Sequence, residues 1–303
     1  MFPIIKVPDT APILLEHLGT KRKFWFDNYR FLFKEARENT GEDWAEKIAC
    51  EVCTLLKLPH ADYDLATWKT KRGVVTKSFA HPDEGQRLVM GNELLFRLNK
   101  NYPVKEIRGV RQHTIRSVLA VTSLEFIKPP LGFELISGVE NASEVFVGYL
   151  LLDAWIANQD RHHQNWGLVV LPGQVIHLAP SFDHASSMGP FELDEARAER
   201  LITKDKCRSI ERYVEKARSA FYSTEVSEKP YSTLDAFMAA ARFRPKAALS
   251  WLKQLENVSM QEVEAIFDRI SSDKMSDISK KFALRILTLN RERLLNSVRM
   301  LLE

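Results

Sequence analysis

Asn158-Gln159-Asp160-Arg161-His162-His163-Gln164-Asn165, answered further on by Ser181-Phe182-Asp183-His184, is the pair of segments on which the reading of this chain turns. Just before it, Glu144 to Ala157 is apolar almost all round, the pattern of a helix buried on most sides. Between the two segments, Trp166-Gly167-Leu168-Val169-Val170, a turn at Leu171-Pro172-Gly173-Gln174 and Val175-Ile176-His177-Leu178-Ala179 predict a β-hairpin. A hairpin brings the chain back near its starting point, so Asp183 is expected beside Asp160 and Asn165 in space. Asp, Asn and His also favour turns for local hydrogen-bonding reasons, and two polar loops are the plainer alternative.

The residue types suit one kind of chemistry. Phosphoryl transfer needs a carboxylate to orient or deprotonate the attacking hydroxyl, and oxygen ligands for Mg²⁺ on the phosphates. Asp160 and Asn165 stand five residues apart, the spacing of the catalytic-loop Asp and the metal-binding Asn of protein kinases, and Asp183 adds a second carboxylate. Chain order outside this stretch adds more. Phe24-Trp25-Phe26 and Tyr29-Arg30-Phe31-Leu32-Phe33-Lys34, separated by Asp27-Asn28, predict an aromatic hairpin that ends on Lys34. Trp44, Ile48, Val52 and Leu55 then recur at helical spacing up to Leu58-Pro59, and Glu46 in that helix is placed to hold the Lys34 ammonium, with Glu51 a poorer alternative. Upstream, Leu18-Gly19-Thr20-Lys21-Arg22-Lys23 offers backbone N–H groups and three adjacent cations to phosphate.

A further strand is expected over Gly73 to Phe79, followed by a linker at His81-Pro82-Asp83-Glu84-Gly85. The remainder reads as helical. Ile210, Tyr213, Val214, Ala217 and Phe221 mark one amphipathic helix, Ser259-Met260-Gln261-Glu262 a capping-box start, and Ile278, Phe282, Ile286 and Leu289 a last helical stripe.

The composition excludes several classes. There is neither a Walker A sequence nor a Gly-x-Gly, which removes P-loop NTPases and ordinary dinucleotide folds. A formal charge of +3 from 43 basic and 40 acidic residues argues against a general nucleic-acid footprint. The longest apolar run, Val145 to Ala157, is too short to span a bilayer, and the start Met1-Phe2-Pro3-Ile4-Ile5-Lys6 has no signal-peptide core. Three cysteines suit a reducing cytoplasm, with Cys50-Glu51-Val52-Cys53 read as helix packing.

Taken together, these segments resemble the HipA-like serine/threonine kinases, which include the toxin kinases of toxin–antitoxin systems. Gly19 to Lys23 resembles the family's phosphate loop, Phe33-Lys34 its ATP-binding lysine, Glu42 to Ala49 the following helix, Asp160 to Asn165 the catalytic loop, and Leu178 to Asp183 the metal-aspartate strand. The resemblance implies a bilobal protein-kinase-like α/β (α+β) fold, with a small β-containing lobe over residues 1–82 and a large helical lobe over 83–303. It implies Asp160 as catalytic base and Asn165 and Asp183 as Mg²⁺ ligands. ATP would contact Gly19, Thr20, Lys21, Lys23, Lys34, Glu46, His162 and Asn165, with Lys77 to Phe79 meeting adenine. It implies a protein substrate, such as a translation factor or aminoacyl-tRNA synthetase, and a small antitoxin partner, with no role for membrane or direct nucleic-acid contact. A phosphoinositide or small-molecule kinase, and a nucleotide-binding regulatory subunit without turnover, stay open as alternatives. Two departures stand out: the chain is shorter than full-length HipA toxins, so their extra N-terminal subdomain is expected to be missing here, and Asp183 is followed by His184 rather than glycine.

Overall fold

The computed structural model describes residues 1–11, 14–15 and 22–297. Four short strands open the chain: β1 (Ile5–Val7), β2 (Leu14–Leu15), β3 (Lys23–Phe26) and β4 (Phe31–Glu35). Helix α1 (Glu42–Leu55) follows, then β5 (Tyr63–Trp68) and β6 (Lys71–Lys77). These six strands form one sheet in the order β1-β5-β6-β4-β3-β2, antiparallel except where β1 runs parallel to β5. After a short 3₁₀ turn at Pro82–Glu84 come β7 (Arg87–Met90), α2 (Gly91–Leu98), α3 (Ile115–Thr122), β8 (Ile127–Lys128), α4 (Ala142–Trp155), β9 (Gly167–Val170) and β10 (Ile176–Leu178). Strands β7, β9, β10 and β8 make a second sheet in that order. The chain then runs through α5 (Asp194–Ile202), α6 (Ile210–Lys216), α7 (Thr233–Phe243), α8 (Pro245–Asn257), α9 (Met260–Asp268) and α10 (Asp277–Asn296). The result is a mixed α/β architecture, a curled sheet followed by a helical body.

Alternation along the strands decides what the first sheet shows to the rest of the molecule. Phe24, Phe33, Ala66, Trp68 and Val75 point to one face and form a small aromatic core, with Phe24 lying 5.2 Å from Phe33 and 5.0 Å from Trp68 between ring centroids. The residues between them, Lys23, Leu32, Lys34, Tyr63 and Thr76, therefore share the opposite face. A shift of one residue in register would send the lysines into the aromatic core. The register is tight at Gly73, where a Cβ would stand 2.2 Å from the carbonyl oxygen of Lys34, so the closeness of β6 to β4 depends on that glycine.

The main core gathers around α4. Every side of this helix is buried, and its first turn is closed by a capping box in which Asn141 and Glu144 bond each other's backbone N–H groups. Phe146, Leu150, Leu151, Leu152 and Trp155 are almost wholly buried, each stabilising the fold by about 1.5–3 kcal/mol through area removed from water. Trp155 also donates to the Leu287 carbonyl of α10 at 3.1 Å. No helix among the described residues is long and apolar enough to cross a membrane.

Several expectations need correction. The aromatic hairpin turns over Asp27 to Arg30 rather than over a residue pair, with Asp27, Asn28 and Tyr29 all at positive φ, and the returning strand begins at Phe31. Strand β5 and the short edge strands β1, β2, β7 and β8 escaped the sequence reading, because two to six residues with distant partners carry little periodicity. Helix α6 stops before Phe221, since the chain after Ala217 turns away to pair Arg218 with Ser232 and to receive the Thr233 N–H at the Ala217 carbonyl. Ser259 precedes α9 but makes no capping bond; its hydroxyl goes to the Gln261 side chain.

Candidate active site

The loop after α4 is held by a buried polar network. Asp153 on α4 receives two bonds from Arg161, Nε to Oδ2 at 2.6 Å and Nη2 to Oδ1 at 2.8 Å, and a third from Asn158 Nδ2 at 2.8 Å. Arg161, only 1% exposed, also donates to Ser181 Oγ at 2.9 Å and to the Asn165 carbonyl at 3.2 Å. A bidentate guanidinium–carboxylate pair of this kind fixes direction as well as distance. It ties the loop to the helix below and to the segment that carries Asp183.

Within the loop, Asn158 Oδ1 accepts the Asp160 N–H at 3.2 Å, and the Asp160 carbonyl accepts both the His162 N–H and Asn165 Nδ2, each at 2.7 Å. The Asn165 amide nitrogen is thereby occupied, which leaves its Oδ1 as the atom for a cation. The Asp160 side chain is 38% exposed and borders the cleft. His162 accepts the Gln164 N–H at Nδ1 and turns Nε2 towards Asp160, 3.9 Å away; burial lowers its pKa in spite of Asp160 and Asp183 nearby.

Asp183 holds φ at +62°, a left-handed conformation that a non-glycine residue adopts only where its surroundings impose it. The surroundings are visible. The next residue, His184, is buried; its Nε2 faces the Ser181 hydroxyl at 2.7 Å and Arg161 Nη2 at 3.2 Å, and its backbone N–H goes to Glu46 Oε1 at 2.7 Å. Arginine can only donate, so Nε2 accepts and the ring is the neutral Nδ1–H tautomer. Burial and the Arg161 charge hold its pKa well below the usual histidine range.

Across the cleft stands the polar face of the first sheet. Lys23 and Lys34 are register partners across β3 and β4, two cations side by side on one surface. Lys34 Nζ lies 3.1 Å from Asp183 Oδ1 and 3.0 Å from the Tyr63 hydroxyl. Burial works against its charge, but Asp183, Tyr63 and Glu46 together raise its pKa well above the ordinary lysine value. Glu46 was expected to hold this ammonium directly. It is wholly buried, its Oε1 accepts the His184 N–H at 2.7 Å, and its charge acts on Lys34 by raising the lysine's pKa; it does not line the cleft. Glu51 pairs with Lys47 at 2.7 Å and with Arg269 at 3.5 Å.

The two walls enclose a cavity of about 790 Å³. Lys23, Lys34, Asp160, His162, Asn165 and Asp183 line its polar part. Leu32, Leu88, Met90, Phe79 and Phe182 supply apolar surface at the other end, where the Phe79 and Phe182 rings lie 5.4 Å apart, and the backbone from Lys77 to Ala80 forms the rim. Gly19, Thr20 and Lys21 lie outside the described residues. An elongated ligand with an aromatic head and an anionic tail matches this division. The paired lysines suit phosphate, and the oxygens of Asp183 and Asn165 suit a hard divalent cation such as Mg²⁺. Cys50 and Cys53 stand apart from this chemistry: burial pushes the first thiol up to about 12 and the second well above its usual range, so neither supplies a thiolate at neutral pH.

Protein-family models give no match to the sequence, and no curated protein matches it. Solved structures do. A proinflammatory kinase of Helicobacter pylori, CtkA, superposes with a TM-score of 0.71 at 19% identity over 99% of both chains. The chain has a kinase fold. HipA of Shewanella oneidensis MR-1, solved with HipB and operator DNA as a toxin–antitoxin system, superposes with a TM-score of 0.57 at 12% identity over 95% of this chain and 67% of its own. The cavity lies between the sheet that carries Lys34 and the helical body that carries Asp160 and Asn165.

Tyr63, Asp153, Arg161, Ser181 and His184 escaped the sequence reading as parts of the site. One of them left a signal: beyond the capping Glu144, Asp153 is the one charge in an apolar helix, and such a charge needs a buried partner. Tyr63 left none, since its role depends on β5 lying beside β6.

Proposed function

We propose that this chain is an ATP- and Mg²⁺-dependent protein kinase of the HipA-like kind, acting on a serine or threonine. The observation that carries the reading is the convergence of Asp160, Asn165, Asp183 and Lys34, from three separate parts of the chain, on one cavity whose other end is apolar. Two lobes meeting near residue 82 would form the cleft.

In this reading Asp160 accepts the proton of the acceptor hydroxyl as its oxygen bonds to the γ-phosphorus and the bond to the bridging oxygen of ATP breaks. Its partial exposure leaves room for the incoming hydroxyl. Lys34 and Lys23 bind phosphate oxygens, and the Tyr63 hydroxyl keeps the Lys34 ammonium turned to the cleft. Asn165 and Asp183 would hold Mg²⁺, which neutralises charge on the transferring phosphoryl group. Adenine would sit between Leu32, Met90 and Phe182 against the Lys77 to Phe79 backbone. The HipA likeness extends the proposal to a cytoplasmic toxin kinase that modifies a translation protein and is restrained by a small partner.

The test is transfer of label from radiolabelled ATP, comparing the wild type with Asp160→Ala and Asp183→Asn, with cell lysate and lipid vesicles as separate acceptors and with or without EDTA. Labelled protein that both substitutions and EDTA abolish supports the reading. Label confined to lipid would replace it with a phosphoinositide kinase, and ATP binding without transfer with a regulatory subunit.

A further inference from the structure

On the far side of Asp160 from Lys34 lies a second cavity, of about 390 Å³, that shares Asp160, His162, Arg108, Ser186, Ile107 and Phe191 with the first. Anything seated in it reaches Asp160 without passing through the nucleotide space. Its charges are one-sided. Asp160 is the sole carboxylate among its lining residues, whereas Arg108 and Arg218 both border it as exposed cations. Arg218 is tied only at its base: its backbone N–H goes to Gln159 Oε1 at 3.1 Å, and Nη1 makes a long contact of 3.5 Å with the Pro230 carbonyl. No carboxylate forms an ion pair with Arg108 or Arg218 among the described residues. Beyond Gln159 and Tyr213 the surface continues into a shallower hollow bordered by Arg200, Arg212 and Lys216, again with no acid in its lining. Arg200 and Arg212 are balanced by Glu192 and Glu215, while Lys216 has no such partner among the described residues.

The floor is rigid and neutral. His113 Nε2 accepts from Trp166 Nε1 at 3.1 Å and Nδ1 donates to the Ala220 carbonyl at 3.0 Å, with burial lowering its pKa to about 3. His163 beside it is wholly buried and bonded to Tyr102 through Nδ1. Neither ring carries charge at neutral pH, so the positive rim is set by arginine and lysine alone.

We infer that this second cavity is the acceptor site and that it selects an acidic protein segment, one in which aspartate or glutamate flanks the serine or threonine that takes the phosphoryl group. The inference rests on the kinase reading above and adds the substrate class. Rim cations uncompensated by the chain lower the energy of a carboxylate brought beside them and raise that of a lysine, so the preference is electrostatic and weakens with salt. A polyanionic nucleic acid would meet the same rim, but the nearly balanced total charge gives it no extended track to follow.

A positional peptide library with a fixed central serine, labelled from ATP by the full-length protein, tests this directly. Wild type is expected to favour Asp and Glu over Lys and Arg near the serine by about tenfold, and Arg218→Glu to reverse the order, with higher transfer to basic peptides than the wild type shows. A gain of that kind cannot come from misfolding. Equal use of acidic and basic peptides, selection of basic ones, label on RNA instead of peptide, or ATP consumption with no labelled peptide would each overturn the acidic-acceptor assignment. Failure to bind or consume ATP at all, measured on the same samples, would overturn the kinase reading beneath it.

Discussion

The two walls of the cleft solve the same problem, holding charged groups in place, by opposite means. On the lysine wall, Lys23, Lys34 and Tyr63 stand on a sheet whose reverse face is a small aromatic core. Their direction follows from strand alternation, and each could change without disturbing the others' backbone. On the aspartate wall the residues sit on loops, and loops have no repeat to orient them. Direction there comes from the Asp153, Arg161, Ser181, His184 and Glu46 network, in which each member completes the bonding of another. Sheet-borne groups should therefore fail one at a time and loop-borne groups together.

The largest expected effect sets that contrast at the level of chemistry. Asp160→Ala should lower phosphoryl transfer by roughly 10²–10⁴-fold, the usual worth of a positioned proton acceptor. Lys34→Met on the facing wall should lose roughly 10–100-fold, as for a charge-assisted bond worth about 1.5–3 kcal/mol, and mainly in KM for ATP. Steady-state kinetics with varied ATP separates the two.

Next comes stability. Arg161→Met strands the Asp153 carboxylate inside the helical body and should cost about 3–5 kcal/mol, read from the denaturant midpoint. Asp153→Leu combined with Arg161→Met should recover part of that loss, because no buried charge is then left alone, yet transfer should stay impaired because the loop has lost its anchor. Full recovery of transfer would dissolve the distinction between the walls.

Acid should find the aspartate side first. Burial lowers the pKa of His113 to about 3 and of His163 to about 4, and that of His184 well below its usual value. The unfolded chain takes up protons below about pH 6.5, which the folded chain refuses down to pH 3–4, so stability falls as pH drops through this window. Each ring contributes up to about 1.4 kcal/mol per pH unit. Urea unfolding at pH 7, 6 and 5 measures the slope, and His113→Phe should flatten it. The smallest effect belongs to Tyr63→Phe, which removes one bond to Lys34 and should cost about 0.5–1.5 kcal/mol, seen as a few-fold rise in KM for ATP.

What was legible in the sequence follows the same division, with an inversion. Asp160, Asn165 and Asp183 could be read because their spacing and the hairpin between the two segments are local features. The network that holds them could not, since Arg161 reaches Asp153 and Ser181, 8 and 20 positions away, and His184 reaches Glu46, 138 positions away in the chain. On the lysine wall Lys34 was readable from its aromatic strand, while Tyr63 was hidden in a strand whose Asp64 and Ala66 dilute the apolar signal. Glu46 was placed on the right helix and its charge does act on Lys34, but its bond to the His184 backbone was not legible, because helix phase tells which way a side chain leaves and not all that it meets.

His184 follows Asp183 at the place where the D-F-G pattern of protein kinases has glycine. Here the imidazole Nε2 is held by Ser181 and Arg161, and the backbone N–H of the same residue is held by Glu46. Rotation would tear out three contacts and expose a ring that has no charge with which to attract water. On the kinase reading proposed above, compounds that wedge behind a rotated segment are expected to bind this chain poorly. On the same reading, selective compounds and any cellular restraint alike would have to enter through the apolar end of the first cavity or through the second cavity.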